Sequence, residues 1–404
     1  MIVSALAVSC TDDELVKGGD KYEVVPDIPV ALSLKIKVAD QMEVQTRLAQ
    51  SDETERTVNK LFVIAFKPSK QSDGAENADA SDDEWSVDNS AFYDTEDGLG
   101  NPIEVGKPQS VEFSMTTGLR RIYVVGNPQS GVGTLSDDEL KNVKTIAALK
   151  ALYSKLSDNL SVERVYFLMT GQAITKEKSE IVTVYKSGDH QGAIREDYTM
   201  ALNHVDARIT FNIIPAVGVT FEPEAYRVIN IPGGTYLFSR EKQNSGDNTW
   251  DYDGAGYAPS NRLSDFTEKD GKSIFEFYIC ENRQNPKQKI STESLLEEGT
   301  YYALREKQEK KLITGTVEGQ KYENGEYVYA NAKSTYVELE GTITYKDDDG
   351  SEVYAKTTYT IHLGNTGNSN TADWLNDLEL VNNYDTERNT HYTYNVKVQS
   401  VDQI

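Results

Sequence analysis

Val30-Ala31-Leu32-Ser33-Leu34-Lys35-Ile36-Lys37-Val38 opens a stretch, residues 30–66, on which the reading of the whole chain turns. Its apolar residues, Val30, Leu32, Leu34, Ile36 and Val38, alternate with small or charged ones, and a period of two puts them on one face of a half-buried strand. Met42 and Val44 carry the alternation as far as Arg47. Residues 48–57 are polar and too poor in aliphatic side chains to hold a place in a core. Leu61-Phe62-Val63-Ile64-Ala65-Phe66 then reads as a second strand. The pattern is strand, protease-accessible joint, strand.

The rest of the chain enlarges this picture. A length of 404 residues is enough for two domains with sizeable cores, and 24 tyrosines with abundant Thr and Val favour strands. The net charge of -24, with 41 basic residues scattered among 65 acids, argues against nucleic acid or anionic lipid as a partner. Val111, Phe113 and Met115 alternate as a strand, and residues 120–127 form an apolar run expected to be buried on both faces. Between the second strand and these, residues 67–101 read as a long polar loop. Ser136-Asp137-Asp138-Glu139 is a capping box ahead of Leu140, Val143, Ile146, Ala147 and Leu149, which predicts one helix over residues 137–153. Val205, Ala207, Ile209, Phe211 and Ile213 alternate cleanly, so a second domain is expected to begin near residue 195, within about ten residues. Strands are further predicted over 275–282, 300–304, 336–345 and 353–363, the last two joined by the turn signal Asp348-Asp349-Gly350. The final strand carries Tyr392, Tyr394, Val396 and Val398 at period two.

The two cysteines have different surroundings. Cys10 closes the apolar run Ile2-Val3-Ser4-Ala5-Leu6-Ala7-Val8-Ser9, and small residues before a cysteine suit a lipoprotein signal peptidase. That run is too short to span a membrane and lacks a basic leader, so Met1 is expected to lie inside a longer signal. Cys280 lies in an apolar strand and reads as a buried, inert thiol.

Several of these segments resemble the fimbrillins of Bacteroidales, surface lipoproteins that polymerise into fimbriae after an arginine-specific protease removes their first strand. The resemblance lies in the order of short motifs. Acids follow Cys10; Thr46-Arg47 precedes Thr57-Val58-Asn59-Lys60 and the second strand; Val124-Val125-Gly126-Asn127, Met169-Thr170-Gly171, Asn230-Ile231-Pro232 and Thr235-Tyr236-Leu237 come next; Arg388-Asn389 leads into Tyr392. It implies a mainly β chain of two transthyretin-like Greek-key β-sandwich domains in tandem, with one helix in the first. Its divisions would be a truncated lipoprotein signal (1–10), a propeptide with the removable strand Val30, Leu32, Leu34, Ile36 and Val38 (11–47), an N-terminal sandwich (48–195) and a C-terminal sandwich with the donor strand (196–404). It further implies lipidation at Cys10, cleavage between Arg47 and Leu48 with Arg56 as the alternative, and donation of Tyr392, Tyr394, Val396 and Val398 to a neighbour. The partners so implied are other copies or related subunits head to tail, a maturation protease, and the outer membrane through the lipid before cleavage.

Chemistry is sparse by comparison. His190, His204, His362 and His391 are isolated in sequence, and His362 and His391 fall on the polar phase of strands, which favours surface or partly satisfied rings over a metal site. No nucleophile elbow, phosphate loop or zinc-spaced pair occurs, so neither an enzyme nor a cofactor is expected. Asp251-x-Asp253-Gly254 and Asp347-x-Asp349-Gly350 fail the calcium-loop pattern at its first and twelfth positions and read as turns. The alternative function is a monomeric surface lipoprotein that binds glycan or host protein through aromatic loops such as that around Trp250, with Trp85 and Trp374 elsewhere in the chain.

Overall fold

The computed structural model describes residues 24–39, 42–44, 57–128, 135–155, 167–175, 178–186, 199–239, 257–283, 288–290, 315–317, 320–322, 327–329, 333–347, 349–364 and 384–401. The opening stretch supplies β1 (Pro29–Val38), β2 (Met42–Val44) and β3 (Lys60–Lys67). After it come β4 (Ser86–Asp94), β5 (Gln109–Thr116), β6 (Gly118–Gly126), helices α1 (Asp137–Lys141) and α2 (Ile146–Ala151), then β7 (Tyr153–Lys155), β8 (Met169–Gln172), β9 (Val182–Val184) and β10 (Met200–His204). One sheet runs β4-β3-β6-β8-β10-β1-β5, with β9 also on β6. Its two ends approach each other, since Asn89 Nδ2 donates to the Ser114 carbonyl at 2.7 Å and Tyr93 Oη to the Glu112 carbonyl at 2.7 Å.

Both phases of β3 are buried, as its apolar run requires. Leu61, Val63 and Ala65 face one core with Val124, Phe113 and the β1 side chains, while Phe62, Ile64 and Phe66 face another with Trp85, Tyr123, Leu140, Ile146 and Leu149. The helical segment covers that second core, but as two short helices instead of one. Thr145 interrupts it: its hydroxyl accepts from the Ala148 amide at 3.2 Å and so caps α2, while the Lys144 carbonyl is taken by the Val87 amide at 3.1 Å. The capping box at Ser136 and Glu139 is present, with the Ser136 amide 2.8 Å from the Glu139 carboxylate. Residues 67–101 are not simply loop. Within them β4 pairs with β3 through a register shift at Ala65/Phe66, which hides the period expected of a strand.

The chain leaves this sheet at His204 and enters the next at Asp206. The remaining strands are β11 (Asp206–Pro215), β12 (Thr220–Ile229), β13 (Ile231–Pro232), β14 (Gly234–Tyr236), β15 (Tyr257–Ala258), β16 (Thr267–Lys269), β17 (Lys272–Cys280), β18 (Gln288–Ile290), β19 (Gly315–Val317), β20 (Gln320–Tyr322), β21 (Tyr327–Tyr329), β22 (Tyr336–Lys346), β23 (Glu352–His362) and β24 (Thr390–Val398). A five-stranded sheet, β16-β17-β11-β24-β2, and a three-stranded one, β12-β22-β23, share one core containing Ile209, Phe211, Phe275, Leu339, Ile361 and Tyr392. Phe211 and Phe275 stack at 4.8 Å. Two-stranded pairs β13-β15, β14-β7, β18-β21 and β19-β20 complete the order. The expected strand at 300–304 lies outside the described residues.

Candidate functional site

β1 occupies a slot between two strands of the first sheet. It pairs antiparallel with β5 from Pro29↔Thr116 to Ile36↔Gln109, and parallel with β10 over Ile36↔Met200, Lys37↔Ala201 and Val38↔Leu202. The period-two reading holds: Leu34, Ile36 and Val38 are buried, with Val30 and Leu32 packed against the same core. Three such buried side chains are worth roughly 5–9 kcal/mol at about 1.5–3 kcal/mol each, an upper bound because unfolded chains already bury some surface. β1 is therefore integral to its core, although it comes from the far side of the joint in sequence.

A polar clasp, invisible in the period-two pattern, holds the start of β1. Asp27 adopts a left-handed backbone with φ 67°, and its amide donates to the Thr117 carbonyl at 3.0 Å. The Ile28 amide donates to the Thr117 hydroxyl at 3.0 Å, that hydroxyl donates to the Val25 carbonyl at 2.6 Å, and the Thr117 amide donates to the Ile28 carbonyl at 2.9 Å. The Asp27 carboxylate lies 2.8 Å from Lys70 Nζ and 3.1 Å from Lys67 Nζ, with a guanidinium nitrogen of Arg120 at 3.9 Å. Lys70, then Lys67, holds the Asp27 carboxyl below its ordinary range. Arg120 itself is fully buried, 2.8 Å from Glu76 and 3.2 Å from Asp88, and it donates to the Thr117 carbonyl at 2.6 Å. The adjacent basic residues Arg120 and Arg121 were legible in sequence, but not which of them turns inward.

The predicted donor residues sit inside the second sheet. β24 runs parallel to β11 from Ala207↔Thr390 to Pro215↔Val398, and on its other flank β2 pairs with it at Met42↔Thr390, Glu43↔His391 and Val44↔Tyr392. Tyr392, Val396 and Val398 are buried and Tyr394 is half-buried. Burial pushes the Tyr392 phenol well above its ordinary range. Two strands before residue 47 thus cover two different sheets, β1 in the first and β2 in the second. Cys10, Arg47, Leu48 and Arg56 lie outside the described residues, as do His190, Trp250 and Trp374.

One expectation about side chains is corrected. His362 and His391 are buried, because β24 is covered on both phases at Thr390 to Thr393 and β23 is covered at its C-terminal end: His391 Nε2 lies 2.9 Å from the Thr210 hydroxyl, and His362 packs at a tilt against Tyr336 with ring centroids 5.0 Å apart. Trp85 is wholly buried and takes no part in an exposed aromatic loop; its indole donates to the Ala80 carbonyl at 3.1 Å. Cys280 is buried, as its strand context implies. Among the described residues, no group of three or more His, Cys, Asp or Glu is placed to hold a metal ion.

Residues 30–208 match the family described as "Major fimbrial subunit protein (FimA)". No curated protein matches the chain. Among solved structures, the tip fimbrial protein Mfa3 from Porphyromonas gingivalis, with a C-terminal truncation, is similar at 12% identity and a TM-score of 0.45, covering 92% of this chain and 95% of its own. A proposed cell adhesion protein from Bacteroides eggerthii is similar at 16% identity and a TM-score of 0.39, covering 83% of this chain and 80% of its own. Residues 30–208, from β1 into β11, thus match the major fimbrial subunit family, a structural, non-enzymatic class.

Proposed function

We propose that this fimbrial subunit is exported as a lipoprotein through Cys10, cut after Arg47, and polymerised when a neighbour's strand replaces β1. The observation that carries the reading is the position of β1: its apolar side chains complete the first core, while the chain connecting it to β3 runs through the polar joint. A strand lost from that position leaves a groove of apolar side chains flanked by unpaired backbone groups of β5 and β10, which favours capture of another strand. While β1 stays covalently attached, its high effective concentration excludes any competitor. Cleavage after Arg47 removes that advantage and takes the Cys10 lipid with it; Arg56 is the alternative site.

The donor in this reading is Tyr392, Tyr394, Val396 and Val398 of β24, arriving head to tail from another copy or a related subunit. Donor and groove occupy different parts of one molecule, so the contact is heterologous and builds an open filament at the cell surface. The two halves of the chain are read as transthyretin-like Greek-key sandwiches, at 48–195 and 196–404. Donation takes β24 away from β11, and the same cut assists it by releasing β2 from its outer flank.

Arg47→Ala, combined with Arg56→Ala to close the alternative, should give an uncut, lipid-anchored monomer, read as the loss of heat-resistant ladders on gels. The donor is tested by a reversible staple. Asn212 Nδ2 donates to Asn395 Oδ1 at 2.9 Å, so Asn212→Cys with Asn395→Cys locks β24 to β11. The cut, oxidised variant should stay monomeric and polymerise on reduction. Wild-type ladders from the oxidised form would remove β24 as donor.

A further inference from the structure

When β1 leaves its slot, the Asp27 carboxylate leaves with it. Lys67 and Lys70 stay behind on the body with Arg120, whose close carboxylate partners are Glu76 and Asp88. Three cations then face two carboxylates at the end of the slot where β1 begins, next to the Thr117 backbone groups that held Asp27 and Ile28. A strand entering in the direction of β1, antiparallel to β5, carries its residues past this cluster before its apolar positions reach the core.

We propose that Lys67, Lys70 and Arg120 form a carboxylate-reading subsite of the strand slot, which selects an incoming strand by an acidic residue five positions ahead of a run of four alternating, core-facing apolar residues. This rests on the reading of β1 as a removable strand. β1 itself has that spacing, with Asp27 five residues before Leu32, Leu34, Ile36 and Val38, the last four positions of the alternation that begins at Val30. The segment led by Glu387 repeats it over four positions: Glu387 stands five residues before Tyr392, and Tyr392, Tyr394, Val396 and Val398 alternate after it, whereas Asp270 is followed at the same spacing by only three, Phe275, Phe277 and Ile279. The occupant is therefore the region from Glu387 to Val398 of a second copy, entering parallel to the departed β1. Apolar alternation occurs in many strands and discriminates poorly among them. A carboxylate placed at one end fixes both direction and register, because a slip of two residues keeps every apolar side chain inward but carries the carboxylate away from the lysines.

The test uses the full chain with a site-specific protease sequence inserted between Arg47 and Leu48 and cut in place after purification. Fluorescent peptides of residues 24–38 and 384–398 report entry into the slot by anisotropy. Asp27→Asn and Glu387→Gln in the peptides should each weaken capture by about three- to tenfold, the size expected of a partly exposed carboxylate shared by two lysines. In a body carrying Lys67→Gln and Lys70→Gln, capture should persist while the preference for acid over amide falls to about twofold or less. Equal capture of acid and amide peptides by the wild-type body, or an undiminished preference in the double variant, overturns the subsite alone. If neither peptide enters the slot at all, the removable-strand reading fails and the subsite with it.

Discussion

Arg120 shows how a single residue can carry both stability and placement. Its guanidinium is wholly buried, and it is tolerable there only because Glu76, Asp88 and the carbonyls of Leu119 and Thr117 satisfy it. Arg120→Met should destabilise the first sheet and its core by about 3–5 kcal/mol, because the buried carboxylates lose their partner; urea denaturation followed by fluorescence would measure it. Asp27 is more exposed, and its effect is correspondingly smaller and dependent on pH. Its folded-state pKa is depressed, so its contribution is present above the unfolded value of 3.8 and is lost as pH falls through the folded value. Retention of a cut β1 should therefore weaken as pH drops below about 4. Fluorescence of a labelled strand, compared with Asp27→Asn at each pH, isolates this group from the other carboxylates that titrate there. A wild-type chain with the same pH profile as Asp27→Asn would contradict the assignment.

At the scale of elements, β8 explains why a short motif has the composition it does. Met169-Thr170-Gly171 lies between β6 and β10, where a Cβ on Gly171 would come within 2.3 Å of the Ala201 carbonyl oxygen and 3.1 Å of a Val124 methyl. Backbone cannot yield as a flexible side chain does. Gly171→Ala should therefore cost about 1–3 kcal/mol or more, read as a lowered thermal midpoint, by forcing β8 and β10 apart. The same element scale separates β1 from β24. Both alternate in sequence, yet β1 shows solvent its Lys35 and Lys37 phase, whereas β24 is buried on both phases from Thr390 to Thr393. Alternation identifies a strand with one committed face; whether the other face is also covered depends on what packs there. That is why His391, on the polar phase, proved to be buried.

Across the whole molecule, the two halves are joined by a strap and a polar knot. β14 crosses to pair with β7, at Gly234↔Lys155, Thr235↔Ser154 and Tyr236↔Tyr153, and Leu237 and Phe238 enter the core beneath α1 and α2. Arg388 donates to the carbonyls of Leu237 at 2.9 Å and Tyr236 at 3.0 Å and pairs with Glu281. Beside it, Asn389, with φ 54°, accepts from the His204 amide at 3.1 Å. Gly234 permits the crossing, because a Cβ there would meet the Ser154 carbonyl oxygen at 2.3 Å. Arg388→Ala should loosen the strap without unfolding either core, seen as faster amide exchange at β7 and β14 with β22 and β23 unchanged. Uniform acceleration throughout would show instead that the knot supports global stability.

Local pattern was enough to identify the strands whose side chains alternate or run apolar on both phases, β1, β3, β5, β6, β11 and the β22–β23 hairpin, together with the capping box at Ser136 and the burial of Cys280. These features follow from local periodicity and local hydrogen bonding, which a linear chain displays. It also carried, through Arg388-Asn389 and Met169-Thr170-Gly171, motifs whose physical purpose it did not reveal. Long-range packing, by contrast, places β4 within an apparent loop, breaks the helix at Thr145, divides β1 and β2 between two sheets, and clasps Asp27 with Lys67, Lys70 and Arg120. Each of these depends on partners dozens of residues away: a bulged register, a carbonyl claimed by another strand, a buried guanidinium. Period and composition describe what a segment can bury, whereas pairing and charge neutralisation are settled by what the fold brings beside it.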